Sequence, residues 1–211
     1  MDIYNFIQNL NPKTLIEIGM HFGEDTRKFR EMLPNTRIIG FEPDPRNVKF
    51  IIDRGLDKIC EFHPVALSNG NEDREFYMSS GKVPEFIDDD HNGNDWSSSS
   101  SLKRPTGHLT VHRWCTFPNK AIVKCVRLDD VIDKDAVIDF IWVDVQGAED
   151  IVFDGAADTL KRTRYVYTEY ASGLYEGQLN REQLLALFGS QWSVVHDFGG
   201  DILLQNQLYA S

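Results

Sequence analysis

Four short runs of branched and aromatic residues most limit how this chain folds: "TLIEI" (14–18), "RIIGF" (37–41), "VIDFIWV" (137–143) and "YVYTE" (165–169). Each is short for a helix and largely apolar on successive residues, the pattern of a strand buried on both faces. Between the early ones lie amphipathic segments. Residues 2–10 carry Ile3, Phe6, Ile7 and Leu10 at helical spacing before Pro12. "GEDTRKFREML" puts Phe29, Met32 and Leu33 on one face, and "PRNVKFIIDRG" predicts a helix closed by Gly55 at its C′ position. Strand, helix, strand, helix in that order implies parallel strands joined by right-handed crossovers, a doubly wound α/β sheet.

"CEFHPVALS" (60–68) reads as a third strand, interrupted or edged by Pro64, and "REFYMSS" (74–80) and "KAIVKCVRL" (120–128) as two more. From about 79 to 119 runs a stretch rich in Ser, Asp, Asn, Gly and Pro, with "DDDHNGND" and "WSSSSS". A loop of that length in a compact domain is either a functional lid or a disordered excursion. Beyond it, "LDDVIDK" reads as a short helix and "GAEDIVFDGAADTLKR" as one helix. "NREQLLALFGS" reads as another, with Asn180 as its N-cap. "WSVVHDFGGDILLQN" reads as two strands joined through Gly199–Gly200 in a hairpin. A single domain over 1–211 is expected, with 79–119 as its substrate-lid insertion.

Thirty-three acidic residues against 22 basic ones give a net charge of −11, which argues against a sequence-independent grip on nucleic acid or an anionic membrane. Cys60, Cys115 and Cys125 form no CxxC pair and read as free thiols of a cytoplasmic protein. The first residues lack the basic start and apolar run of a secretion signal, and no stretch approaches the ~18 apolar residues of a membrane span.

The turn after the first strand, Gly19-Met-His-Phe-Gly23, is the place where such folds hold a nucleotide. It is neither GxGxxG nor a Walker A loop, and it carries Glu17, Glu24 and Asp25. Phosphate is poorly served there, whereas a ligand with cationic groups is welcome. S-adenosylmethionine has a sulfonium and an ammonium and no phosphate. Glu42, just past the second strand, is placed to accept hydrogen bonds from both ribose hydroxyls, a device shared with NAD enzymes. Asp144 and Glu169 end two later strands at the carboxyl edge where open α/β sheets place ligands. Asp144 is a candidate cofactor-side or proton-accepting carboxylate, with helix capping as its alternative. Glu169 is a candidate catalytic contact or a plain strand-end acid. His108, His112 and Cys115 lack a fourth ligand at a recognised zinc spacing, and "DDDHNGND" lacks the EF-hand pattern, so no metal is assigned.

In that order, "IEIGMHFGEDT", "IIGFEPDPRNVKFI", "FHPVALSNGNEDREFYM", "VRLDDVI" and "IDFIWVDVQGAEDIVFDGAADTL" resemble the FkbM family of S-adenosylmethionine-dependent methyltransferases, from about Thr14 to Tyr170. "VDVQGAE" is the most specific piece, and "WSSSSSL" is similar to the family's serine cluster. The resemblance implies a class I methyltransferase fold, a Rossmann-like three-layer sandwich. Its sheet has seven mostly parallel strands and a C-terminal antiparallel hairpin. The resemblance also implies O-methylation of a small-molecule or saccharide hydroxyl. It places Glu17, Gly19, Gly23 and Thr26 by the methionine part of the cofactor, Glu42 on the ribose, Ala66 and Leu67 beside adenine, and Asp144 at the cofactor. Trp96, Ser99 and His112, inside 79–119, are the candidate acceptor contacts. Met20, His21 and Phe22 are bulkier than the small residues often seen in the turn, and Gln146 stands where an acid is often found. Two other readings stay open: an NAD-binding oxidoreductase of Rossmann type, and a non-catalytic protein that keeps the fold.

Overall fold

The computed structural model describes residues 1–82 and 95–209; the rest of the chain, including 88–94 of the acidic stretch, lies outside the described residues. Helix α1 (Ile3–Leu10) is capped by Asp2 and leads into β1 (Thr14–Ile18), α2 (Glu24–Met32), β2 (Arg37–Phe41) and α3 (Pro45–Asp53). The third predicted strand divides. Glu61–His63 (β3) stays beside β2, while Ala66–Leu67 (β4) pairs elsewhere. Pro64, which cannot donate to a ladder, sits where the chain changes sheets.

Strands β5 (Asp73–Ser80) and β6 (Thr116–Val126) form an antiparallel pair, and β4 adds to β6 in parallel, giving a second sheet in the order β4-β6-β5. Between β5 and β6, the described part of the 79–119 stretch is tied down. Ser101 bridges Tyr77 through two backbone hydrogen bonds, and α4 (His108–Val111) follows. The chain continues through α5 (Leu128–Val131), β7 (Ile138–Val143), α6 (Glu149–Asp154), α7 (Ala157–Leu160), β8 (Thr163–Glu169), α8 (Arg181–Phe188), β9 (Trp192–Asp197) and β10 (Asp201–Asn206).

The main sheet has seven strands in the order β3-β2-β1-β7-β8-β10-β9. Strand β10 runs against both β8 and β9, and the pairings among β3, β2, β1, β7 and β8 are parallel. The expected C-terminal hairpin through Gly199–Gly200 is thus present. Alternate residues of the central strands feed two cores. Leu15, Ile38, Phe140 and Tyr167 pack with Ile7 of α1 and Phe29 of α2. Ile16, Ile39, Ile141 and Val166 pack with Leu128, Val152, Leu160 and Leu184 on the other face. This is the three-layer α/β sandwich of class I methyltransferases.

The segment 147–162, expected as one helix, is two. At Gly155, between the two pieces, a side chain would overlap the Ser68 carbonyl, so glycine is what lets the strand-end loop approach. Asp129 of the "LDD" segment then starts the second piece. Its buried carboxylate accepts the backbone N–H groups of Asp158 and Thr159 (3.1 and 2.7 Å) and the Thr159 hydroxyl (2.8 Å). Replacing it leaves buried donors unpaired, at about 1–3 kcal/mol for each unsatisfied group. Asp129→Ala should lower the unfolding free energy by roughly 2–5 kcal/mol, seen as a lower urea midpoint, whereas Asp158→Ala, removing an exposed carboxylate paired to Lys161, should leave the midpoint nearly unchanged.

Candidate active site

The site begins where β1 and β7 end. The Asp144 N–H donates to the Ile18 carbonyl (2.9 Å), and the Gly19 and Met20 N–H groups donate to the Phe41 carbonyl (2.9 and 3.1 Å). Gly19 has φ +89, and a Cβ there would overlap the Asp144 carbonyl oxygen, so only glycine lets the three strand ends close together. The bulk of the turn is absorbed by design of its neighbours. Met20 is buried against Gly40 of β2, whose Cβ would occupy the place of the Met20 sulfur. Phe22 packs on Phe50 of α3, with ring centroids 4.4 Å apart.

Around this junction is a cavity of about 210 Å³. Gly19, Met20, His21, Glu42, Ala66, Leu67, Asp144 and Gln146 line it, with Phe41, Val65, Phe76 and Trp142 as apolar wall. Its charged lining consists of Glu24, Asp25, Glu42 and Asp144; among the described residues that line it, none is Lys or Arg. Four carboxylates in one concavity repel phosphate and favour a ligand with cationic groups.

Glu42 is the hub. Its Oε1 accepts from the Asp44 N–H (2.8 Å) and from Asn47 Nδ2 (3.3 Å), and its Oε2 accepts from the His21 N–H (2.8 Å). His21 holds φ +52, an unusual backbone for a ring-bearing residue, and this is what aims its N–H at Glu42. Asn47 Oδ1 accepts from the Ser97 hydroxyl (2.8 Å), and Ser97 lies 2.9 Å from His21 Nε2. The Ser98 hydroxyl lies 3.1 Å from the same Nε2, and His21 Nδ1 stands 3.5 Å from Glu24 Oε2. Glu42, Asn47, Ser97 and His21 close a ring of hydrogen bonds. Burial pushes the Glu42 carboxyl up to about 7, against the lowering effect of the donors around it.

The ring fastens the serine segment to the first turn, and Asp44 fastens it to α3. Asp44 caps α3, takes a two-pronged bond from Arg46 (2.6 and 3.0 Å) and accepts from the Ser100 hydroxyl (3.0 Å). Arg46 also donates to the Ser79 carbonyl (2.8 Å). Of the serine cluster, Ser97, Ser98 and Ser100 face the cavity. Ser99 turns away, accepting from Trp96 Nε1 (2.8 Å) and, through its carbonyl, from the Tyr175 hydroxyl (2.7 Å).

The predicted site residues thus fall into two groups. Gly19, Glu42, Ala66, Leu67 and Asp144 meet at the cavity. Glu17, Gly23 and Thr26 lie behind the turn. The Thr26 hydroxyl donates to Glu17 Oε2 (2.6 Å) in the buried space under α2, and burial holds the Glu17 carboxyl well above the usual range. Gly23, at φ +76, opens α2. Trp96 and Ser99 stand behind the serine segment. His112 closes α4, with its ring 4.9 Å from that of buried His108 and 6.2 Å from that of Trp114. Glu169 lies at the end of β8, one strand over from Asp144, and Gln146 Nε2 reaches both carboxylates, at 2.7 Å (Asp144) and 3.4 Å (Glu169). Asp144 lines the cavity with its side chain exposed there. The protein packed around it raises its pKa, the Gln146 bond lowers it in part, and Asp201 adds like charge. Burial first, and then Asp144, Glu149 and Asp201, push Glu169 up to about 8. Glu149 accepts the Gly147 N–H (3.1 Å), and burial raises it to about 7.

Sequence reasoning missed His21, Asn47, Ser97 and Gln146. The signal was present at two of them, since His21 and Gln146 were the departures noted from small or acidic residues. Among the described residues no group of three His, Cys, Asp or Glu is arranged for a metal, and no helix is long and apolar enough to cross a membrane.

Comparison with known proteins identifies the architecture. The FkbM methyltransferase domain model matches residues 17–202. The chain is 35% identical to the 2-O-methyltransferase NoeI of Sinorhizobium fredii (strain NBRC 101917 / NGR234), over 97% of this chain and 83% of that protein. Methyltransferase FkbM from Methylobacillus flagellatus KT superposes with a TM-score of 0.54 at 14% identity, over 92% of this chain but only 44% of the other. An rRNA methylase from Streptococcus thermophilus superposes at 0.50 with 8% identity, over 97% and 93%, and shares the fold. The oxidoreductase alternative finds no support in these matches. The chain belongs to the FkbM family of methyltransferases, enzymes that use S-adenosylmethionine.

Proposed function

We propose that the chain methylates a hydroxyl oxygen of an uncharged small molecule, a saccharide above all, at the carboxyl edge of β1, β7 and β8. The observation that carries this reading is the carboxylate-lined cavity at that edge. The relationship to a 2-O-methyltransferase supports oxygen as the atom methylated.

S-adenosylmethionine, when bound, would supply an electrophilic methyl group and, in its sulfur, the acceptor for the electron pair of the carbon–sulfur bond. The chain's own residues do the rest. Glu42 Oε2 has one donor among the described residues and keeps a lone pair for a ribose hydroxyl, while Oε1 is already taken by two. Ala66, Leu67, Phe41 and Phe76 offer an apolar slot for the base. Glu24, Asp25 and Asp144 supply the negative field that cationic groups need. Asp144 and Glu169 flank the place for the acceptor hydroxyl, and a carboxylate there takes its proton. Held alignment contributes most to a displacement of this kind. Of the described part of the 79–119 stretch, Ser97, Ser98 and Ser100 face the cavity, with Trp96 and Ser99 supporting them from behind. The three cysteines are free thiols, in keeping with a cytoplasmic enzyme.

Basic partners for an anionic acceptor are few. Lys103 is held by Asp150 (2.7 Å) and the Gly177 carbonyl (2.9 Å), Arg46 is held by Asp44, and residues 83–94 contain no Lys or Arg.

Two measurements test this. Calorimetric titration with S-adenosylhomocysteine should show micromolar binding, weakened by roughly 100-fold in Glu42→Ala, with no binding of NAD; equal affinity in the variant would overturn the role of Glu42. In a panel of tritiated methyl-transfer assays, neutral glycosides should be methylated and the matching sugar phosphates should react at least ~10-fold less well, by kcat/KM. The opposite order would refute the acceptor class.

A further inference from the structure

Position 146 is a polar residue in a strained place, and nothing in the cofactor half of the site requires it. Gln146 has φ +53 and is followed by Gly147 at φ +91, whose missing side chain makes room for the Tyr175 ring. Two successive left-handed residues swing the chain back on itself immediately after β7. The turn itself would be satisfied by Asn or Gly at 146, which reach this backbone more easily. What the longer amide adds is reach: Nε2 has two hydrogens and two carboxylates in front of it, Asp144 at 2.7 Å and Glu169 at 3.4 Å.

Building on the acceptor reading above, we propose that Gln146 is a positioning residue that sorts these two carboxylates, fixing Asp144 as the ionised wall of the cavity and leaving Glu169 to accept the proton of the acceptor hydroxyl. The unequal bonds decide which is which. A short hydrogen bond from a neutral donor favours the ionised form of Asp144. The longer bond orients Glu169 without saturating it. Glu169 is half-buried and keeps contact with solvent for the proton it takes, as the more exposed Asp144 also does, so the bonds and not the exposure distinguish them. In the step, the acceptor O–H bond breaks, its hydrogen passes to Glu169 as a proton, and the oxygen keeps the pair that bonds the methyl carbon.

The charges facing Glu169 are Asp144 from the end of β7, Glu149 from α6, and Asp201, its register partner on β10; the Tyr167 hydroxyl is bonded to Asp201 and Tyr175 lies alongside. Beyond Asp144 stand His21 and Asp25. Among the described residues, the ionisable groups named around Glu169 are acids and phenols, and burial first, then like charge, pushes its carboxyl up to about 8. A base must be ionised to act, so methyl transfer should rise with pH through that region and fall below it. A glutamate at 146 would add one more carboxylate and remove the donor.

The test needs no acceptor. In the full chain labelled with 13C-carboxyl glutamate, the Glu169 resonance, assigned with Glu169→Gln, is followed from pH 5 to 10 in the wild type, Gln146→Glu and Gln146→Asn. Asn keeps an amide and tolerates the left-handed backbone, but is one methylene short of Glu169. The Glu169 midpoint should rise by roughly one unit in Gln146→Glu and by a smaller step in Gln146→Asn. Midpoints equal to the wild type in both folded variants would overturn the proposal. If they move while no neutral hydroxyl compound is methylated at any pH, the acceptor reading falls and the role of Gln146 stands.

Discussion

Everything in the site depends on three strand ends meeting within hydrogen-bond distance. Ile18, Phe41 and Asp144 come from β1, β2 and the end of β7, and their backbones are laced through Gly19 at a point where no side chain fits. In a parallel sheet the carboxyl ends of the strands fan apart toward their crossover connections, and the crevice between them is the natural ligand site. Here lacing keeps the floor of that crevice closed. Its walls are then set by the next residue of each strand: Met20, Glu42 and Val145.

The second level of organisation is polar. Glu42 is buried, and a buried carboxylate is tolerated only where donors surround it. The donors come from two separate segments, the first turn and the start of α3, and Asn47 carries the network on to the serine segment. Satisfying one acid thus brings together parts of the chain distant in sequence. Arg46 and Asp44 repeat the arrangement beside it, joined to Glu42 through the Asp44 N–H, so that the serine segment is attached by two linked polar fasteners.

Much of the fold was legible because its information is local. Runs such as "TLIEI" and "VIDFIWV" can be little else than buried strands, and Asn180 caps α8 where a capping residue should. The "CEFHPVALS" run misled because one apolar stretch serves two sheets, which no periodicity reveals. The 147–162 segment misled because its helical pattern is real, while its second piece is started by Asp129, distant in sequence, which accepts the Asp158 and Thr159 N–H groups. In the site, Gly19, Glu42 and Asp144 could be read from their places at strand ends. Glu17 could not, because strand alternation turns it under α2 with Thr26 while its neighbour Ile18 faces the other way. The His21–Ser97 contact was invisible for a further reason: it joins two unremarkable polar residues through a backbone angle that only the folded turn defines.

Met20 lying in the space left by Gly40 has an implication for how this family can vary. The two positions share a single volume across neighbouring strands, and neither has an independent choice of residue. Chains with a small residue after the first glycine are free to carry a side chain at position 40, whereas chains with methionine there are not. Sequence change at the mouth of this cavity is therefore expected to proceed by paired exchange, and the bulk of the turn is a quantity conserved between two strands and not a property of the turn alone.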